Sequence, residues 1–418
     1  MRRAVLMIVD GLRADMVTPA LTPTLARIAA GARVFTRQRS VFPSATRVNS
    51  ASIATGCHPA SHGLAGNAIA LDEGEGLRPV SVGPPGFRER LRRATGRTLH
   101  RPTLTQRLAQ RGGAVIYSNS SAGAAHMQDP DGHGTLYHRD GSHAPGFQPI
   151  TGEAHLAVTY DATGDTTTTE RFAAALAAPD ETELFVTWIC EPDHSQHALE
   201  LGSPEHRTVL AGADACIARV AEAVGAMRAR GDDVLFVLGS DHGHETVDEV
   251  VPVTELLVDA GLKASMESSD VVLASSGMGA LVYFAPEAAD RRQAVGAWLR
   301  AQPWAAEVFV GPELAAVGQA TDTALGVAFA MAKRDAPNRF GVRGLGHVAA
   351  DPFMSSDARG LGQHGGLGPY ETNPFLVLDG GGHAPGRSDA PSATVDIAPT
   401  IAAWLGIPTD GMDGRPLR

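Results

Sequence analysis

Cysteine, lysine, aromatic rings and long apolar runs are all scarce in this 418-residue chain. Its three cysteines, Cys57, Cys190 and Cys216, are too few and too scattered for a disulfide framework and read as small buried residues. No run approaches the roughly 20 apolar residues that cross a bilayer. The opening MRRAVLMIVDG holds an apolar run of only about six residues that leads straight into Asp10, so it reads as a first strand and not as a leader. A soluble, cytoplasmic protein is the expectation. Charged residues make up 19% and the formal net charge is −11, which argues against a broad nucleic-acid or anionic-membrane surface. A phosphate substrate stays open, because the local charge of a bound metal outweighs a distant field. Aromatics are 5%, yet hydrophobic residues reach 43% with no low-complexity tract, enough for one large or two moderate cores.

What is present is a rhythm of buried strands and helices. AVLMIVDG (4–11), GAVIYSN (113–119), ELFVTWICE (183–191), DVLFVLGSD (233–241) and NPFLVLDG (373–380) are continuous apolar runs of the kind buried on both faces of a sheet. TPTLARIAAGA (22–32) has a Thr cap, a first-turn Pro and helical apolar spacing, and 168–178 and 206–230 continue the helical pattern. The alternation predicts an α/β fold, a mostly parallel sheet covered by helices. Residues 246–350 break the rhythm with a strand–helix–strand pattern of their own. They read as an inserted small α+β cap in a core made of 1–245 and 351–418. Residues 120–155, rich in Gly, His, Asp and Pro, read as a long ordered loop. Its His126, His133, His138 and His143 could form a third metal site or a wall for substrate, but a loop pinned by Asp and Gly turns is the plainer reading.

Polar residues cluster where the apolar runs end: Asp10 in VDG, Asp193 and His197 in EPDHSQH, Asp241 and His242 in SDHGH, and His364 in GQHGG. Taken singly each is an ordinary loop start or turn. Together they bring three carboxylates and three imidazoles to strand exits, the ligands of a pair of Zn²⁺-like ions, with Mn²⁺ as another occupant. Asp193 and His197, at i and i+4, share one helical face. The segment 42–56 adds the hydroxyls of Ser44, Thr46, Ser50, Ser52 and Thr55, and chemistry alone does not choose among them. A metal lowers the pKa of such an oxygen, and a helix start offers backbone N–H groups to phosphoryl oxygens. Asn49 can donate an amide hydrogen bond to the same group. The set reads as a two-metal hydrolase of a phosphorus ester. His58, His62, His194 and His244 lie near the motifs but off the ligand pattern, and read as supporting residues.

The order and context of these motifs resemble the alkaline phosphatase superfamily, most of all its nucleotide pyrophosphatase/phosphodiesterase branch. FPSATRVNSASIATGCHPASHGLAGN (42–67) is similar to that branch's nucleophile segment, EPDHSQH to its EPD-x-x-x-H element, SDHGH and QHGG to its other ligand motifs, and TVDIAPTIAAWLGIPTDGMDGRPL (394–417) to its closing helix and loop. The resemblance spans residues 4–417 apart from the cap and the 120–155 loop. It implies an alkaline-phosphatase-like sheet sandwiched by helices, Thr46 as nucleophile and Asn49 as the phosphoryl-binding Asn. It further implies one Zn²⁺ on Asp193, His197 and His364 and a second on Asp10, Thr46, Asp241 and His242.

Two departures bear on the substrate. Arg47 follows Thr46 where relatives that hydrolyse nucleotides carry a base-stacking aromatic, and a guanidinium there suits a second anionic group. The only lysines are Lys263 and Lys333, whereas monoesterases and phosphonoacetate hydrolases of the superfamily use lysines before the position of Asp193. The reading is a phosphodiesterase working through a phospho-threonine on a small-molecule diester. Phosphonate hydrolase, phosphomonoesterase and a catalytically silent metal-bound binding protein are its alternatives.

Overall fold

The computed structural model describes residues 1–178, 180–351 and 358–418. Its main sheet has ten strands. In spatial order they are Gly386–Ser388, Arg33–Phe35, Leu376–Asp379, Asp233–Gly239, Arg2–Val9, Leu184–Ile189, Ala114–Ser118, Thr135–His138, Ser142–Ala144 and Gln148–Ile150. The five from Asp233–Gly239 to Thr135–His138 run parallel, and Leu376–Asp379 pairs antiparallel with Asp233–Gly239. Arg2–Val9 is buried from Arg3 onward, because both its faces are covered. Val5, Met7 and Val9 meet Phe172, Ile217 and Val220 of the helices Ala162–Ala177 and Pro204–Ala229. Leu6 and Ile8 meet Ile397 and Ile401 of the helix Ile397–Leu405 on the other side. Burying apolar area on both faces is the main stabilising term of such a layered core.

A second sheet, antiparallel throughout, joins Val271–Ser275, Gly279–Phe284, Leu325–Met331 and Ala305–Val310. One face packs on the helix Arg292–Arg300 through Val295 and Leu299. The other packs on the hairpin Ala68–Asp72/Leu77–Ser81 through Ile69, Leu71 and Val80. A third sheet pairs Glu245–Val251 with Arg343–Ala349 and with the two-residue strand Gly362–Gln363. No helix among the described residues is long and apolar enough to cross a membrane. Cys57, Cys190 and Cys216 are buried free thiols.

The expected loop over 120–155 is corrected by the structure. The segment contains the helix Ala122–Gln128 and the strands Thr135–His138, Ser142–Ala144 and Gln148–Ile150, which extend the main sheet to its edge. These strands are three or four residues long, too short to display a period-two pattern among Gly, His and Pro. The helices expected at 168 and 206 start earlier, at Ala162 and Pro204, each capped by the residue before it. Asp161 accepts Gly164 N–H, and Ser203 accepts His206 N–H.

Candidate active site

Three adjacent parallel strands deliver the carboxylates to one place. Asp10 follows Arg2–Val9, Asp193 opens the short helix Asp193–Gln196 beyond Leu184–Ile189, and Asp241–His242 lie just past Asp233–Gly239. Carboxyl ends of parallel strands are where such sheets collect ligands. Thr46 is the first residue of the buried helix Thr46–Thr55, and His364 follows the strand Gly362–Gln363. Gly11 is required where the first loop turns: its φ is +69°, and a Cβ would lie 2.7 Å from His244 Cε1 and 2.9 Å from Asp193 Cβ.

Ligand-type atoms of Asp10, Asp241 and His242 lie within 4.8 Å of one another, and so do those of Asp193, His197, His244 and His364. Thr46 Oγ1 is 3.1 Å from His242 Nε2 and 3.5 Å from Asp10 Oδ1. Four of these side chains, those of Asp10, Asp241, His242 and His364, are held by one atom and open at another. Trp188 Nε1–H donates to Asp10 Oδ2 at 2.8 Å, and Gly11 N–H donates to Asp241 Oδ1 at 3.2 Å. Asp241 Oδ2 and Asp193 Oδ1 are buried without a hydrogen-bond partner. A carbonyl can only accept, so His242 Nδ1–H donates to Gly243 O at 3.1 Å and His364 Nδ1–H to Ser44 O at 2.9 Å. Both imidazoles therefore turn an Nε2 lone pair into the site, the tautomer a metal requires.

The electrostatics ask for the same occupant. Burial and then repulsion from Asp241 and Asp193 push the Asp10 carboxyl well above its ordinary range. Asp241 is raised to about 8 by burial and then by Asp193. Burial opposes ionisation of Asp193 too, but His197 and His244 outweigh it and hold Asp193 low. Burial holds His242 down to about 3, and His364 and His244 are also lowered by burial first. Neutral imidazoles among crowded carboxylates with orphaned oxygens fit divalent cations.

His244 was read from the sequence as a supporting residue, and hydrogen-bond logic assigns its proton. Gly202 N–H donates to His206 Nδ1 at 3.0 Å, so His206 carries its proton on Nε2 and donates it to Gln196 Oε1 at 3.0 Å. That fixes the Gln196 amide, whose Nε2 donates to Gly11 O at 3.1 Å and to His244 Nδ1 at 3.0 Å. His244 must then hold its proton on Nε2, 3.2 Å from Asp193 Oδ1. A protonated nitrogen cannot bind a metal. His244 thus faces the carboxylate of the Asp193–His197–His364 group with its Nε2–H, while neither that nitrogen nor Asp193 Oδ1 completes a hydrogen bond.

Beside the clusters opens a cavity of about 370 Å³, lined by Arg47, Asn67, Ser81, His197, Ser276 and His364 among others. Arg47 Nε donates to Ser121 Oγ at 3.2 Å, and Arg47 N–H to Asn67 Oδ1 at 2.8 Å. Asn49 does not reach the cavity. It is 0% exposed, its Nδ2 donates to Ala45 O, and its Oδ1 accepts from Val41 N–H and Thr394 Oγ1–H. The expected phosphoryl-binding role of Asn49 is therefore corrected: its amide ties the helix Thr46–Thr55 to Val41 and to Thr394 of the short turn Thr394–Asp396. Asn67 is the asparagine in the cavity. It closes the same 42–67 segment, but its distance in sequence from Thr46 hid it.

Tyr160 was also missed. Its hydroxyl is pushed well up by burial and then by the charges of Asp193 and Asp10, and its ring carries Arg139 at 4.0 Å and His194 at 4.3 Å. Both lysines are occupied away from the cavity: Lys263 donates to Ser268 O and Val271 O, and Lys333 pairs with Glu371. Among the described residues the loop histidines join no group of metal-ligand type, although the rings of His126 and His138 lie 6.2 Å apart. His138 donates to Ser120 O and accepts from Asp140 N–H, and His143 contacts Ala144 O.

The family model for type I phosphodiesterase/nucleotide pyrophosphatase matches residues 4–302. A comparison with curated proteins found no match. Among solved structures, murine ectonucleotide pyrophosphatase/phosphodiesterase 5, in an inactive form in complex with AMP, is similar at 14% identity and a TM-score of 0.70 over 99% of this chain and 97% of that one. Wild-type alkaline phosphatase PafA is similar at 18% identity and a TM-score of 0.72 over 100% and 98%. Phosphonoacetate hydrolase from Sinorhizobium meliloti, in complex with phosphonoformate, is similar at 20% identity and a TM-score of 0.66 over 97% and 95%. These likenesses establish the alkaline-phosphatase-like fold.

Proposed function

The chain belongs to the type I phosphodiesterase/nucleotide pyrophosphatase family, and from that premise we propose that it hydrolyses small-molecule phosphodiesters with Thr46 as nucleophile at a centre for two divalent cations, Zn²⁺ foremost. The observation that carries the reading is Thr46 Oγ1 at a helix N-terminus, 3.1 Å from His242 Nε2 and 3.5 Å from Asp10 Oδ1. Asp193, His197 and His364 would hold one ion; Asp10, Thr46, Asp241 and His242 would hold the other. Such a pair, when bound, neutralises the carboxylates, lowers the pKa of a hydroxyl and stabilises a departing oxyanion.

The protein's own groups do the rest. Thr46 Oγ1 attacks phosphorus in line, the bond to the leaving ester oxygen breaks, and a phospho-threonine remains. Water then attacks that phosphorus, the bond to Thr46 Oγ1 breaks, and the monoester leaves. Asn67, oriented by Arg47 N–H, supplies the amide donor to a non-bridging oxygen. Trp188 and Gly11 hold Asp10 and Asp241 so that their free oxygens face inward. Residues 246–350 act as an inserted cap on the core of 1–245 and 351–418. The separate antiparallel sheet supports that division, and Ser276 of the cap lines the cavity.

Arg47 in the cavity favours an anionic substituent over a nucleobase, and the nearby Tyr160 ring is already engaged by Arg139 and His194. The same guanidinium supports a second reading, a phosphonate hydrolase acting on a carboxylate-bearing substrate. The test is turnover of bis-p-nitrophenyl phosphate, p-nitrophenyl phosphate and phosphonoacetate, with and without chelator. The diester should be preferred and the chelator should abolish its hydrolysis. A dominant phosphonoacetate activity would transfer the assignment to the second reading.

A further inference from the structure

The polar cavity continues along one strand into a second, apolar one. In the hairpin Ala68–Asp72/Leu77–Ser81, Ala68 lies opposite Ser81 at the base and Asp72 opposite Leu77 at the tip. The base residues Ala68 and Ser81 line the cavity beside Arg47 and His364. Near the tip, Leu77 and Pro79 line another cavity of about 380 Å³, and Ser275 and Asp351 border both. Side chains two apart share a strand face, so Leu77, Pro79 and Ser81 form one track, roughly 13 Å long at about 3.3 Å per residue. It changes from apolar at Leu77 to polar at Ser81.

The far cavity presents an apolar wall beside a polar rim. Pro252, Val272 and Leu273 complete its apolar wall. Met266 lines it too and is 47% exposed; with Met1 it makes up the exposed large hydrophobics among the described residues. Its basic residues are turned to local backbone: Lys263 donates to Ser268 O and Val271 O, and Arg78 to Glu267 O. The acidic Glu255, Glu267 and Asp351 at the lining would repel an anionic group. A large apolar side chain left in water at the mouth of an apolar cavity, continuous with a catalytic one, marks a ligand surface.

We infer that this track binds an uncharged apolar substituent of the phosphodiester, so that the enzyme's substrates are amphipathic diesters. The inference rests on the diesterase reading above. The test uses the metal-loaded protein and methyl, butyl, octyl and decyl p-nitrophenyl phosphates, each below its critical micelle concentration. Methyl and butyl esters, confined to the polar cavity, should differ only a few-fold in kcat/KM. Beyond them each methylene that reaches the track should add up to about fourfold, so the decyl ester should exceed the methyl ester at least ~100-fold. Leu77→Glu and Met266→Glu should each cut the decyl-to-methyl ratio at least tenfold, a ratio that cancels any misfolded fraction.

A wild-type ratio near one, or a high ratio that neither variant changes, overturns the inference. Calorimetric binding of decyl and methyl phosphonate keeps the test independent of turnover. Should no diester be hydrolysed, the diesterase reading fails by itself. The track then stands if the decyl compound binds at least ~100-fold tighter than the methyl one, and falls if the two bind equally.

Discussion

Replacing His244 by Ala isolates the network that faces the Asp193 carboxylate. In the wild type the order Gly202, His206, Gln196, His244 leaves one direction for every proton and ends at His244 Nε2–H, 3.2 Å from Asp193 Oδ1. Asp193 Oδ1 has no full hydrogen bond of its own. Removing His244 therefore deletes the donor that faces this oxygen and frees the carboxylate to rotate. Residues that orient metal ligands typically change metal affinity 10–100-fold, about 1.4–2.8 kcal/mol at 1.4 kcal/mol per decade. A loss of that size is the expectation. Zinc competition against a chromophoric chelator measures it. One of two sites should weaken in His244→Ala while the other keeps its affinity. Gln196→Ala, which only releases the His244 tautomer, should weaken the same site by less. Unchanged affinities in His244→Ala refute the argument. Complete loss of one site in His244→Ala, with Gln196→Ala unchanged, would make His244 a direct ligand.

Three further outcomes follow from the same geometry. Metal analysis of zinc-supplemented protein should give close to two ions per chain, and one or none would remove the two-metal centre. Arg47→Phe should lower kcat/KM for the preferred non-nucleotide diester and raise it for a nucleotide p-nitrophenyl ester; equal effects on both would leave Arg47 only a loop-holding role. His62, bonded to Ser52 Oγ at 2.9 Å, has its pKa lowered by burial to about 3. Its unfolded form binds a proton near pH 6.5, so stability is present above that pH and is lost as pH falls toward 3. His62→Gln should flatten the stability difference between pH 7.5 and 5.5 by about 1.4 kcal/mol in denaturant titrations, where the metal contribution common to both proteins cancels. An unchanged slope would mean that His62 is protonated in the fold.

The main strands were legible because burial on both faces writes itself as an uninterrupted apolar run. LFVTWI and DVLFVLG needed no partner to be recognised. The polar residues at their ends were legible because an Asp or His after such a run has no packing reason to be there. Asn67 was obscured because its relation to Thr46 is made by a turn and not by spacing, while Asn49 looked better placed on the same helix and spends its amide on Val41, Ala45 and Thr394. The strand Leu325–Met331, inner strand of the second sheet, is apolar throughout but lies in a stretch without turn signals that tie it to the others. The role of His244 depends on three hydrogen bonds through Gln196 and His206, a relation that no sequence window contains.

The proposed reaction stands or falls on covalent chemistry at Thr46. Metal-loaded protein mixed with bis-p-nitrophenyl phosphate, quenched in acid within a turnover and digested, gives the decisive measurement by mass spectrometry. A phosphoryl adduct is expected on the peptide carrying Thr46 and is expected to be absent in Thr46→Ala, which should also lose turnover while keeping its fold. An adduct on Ser44 or Ser50, or full activity in Thr46→Ala, would contradict it.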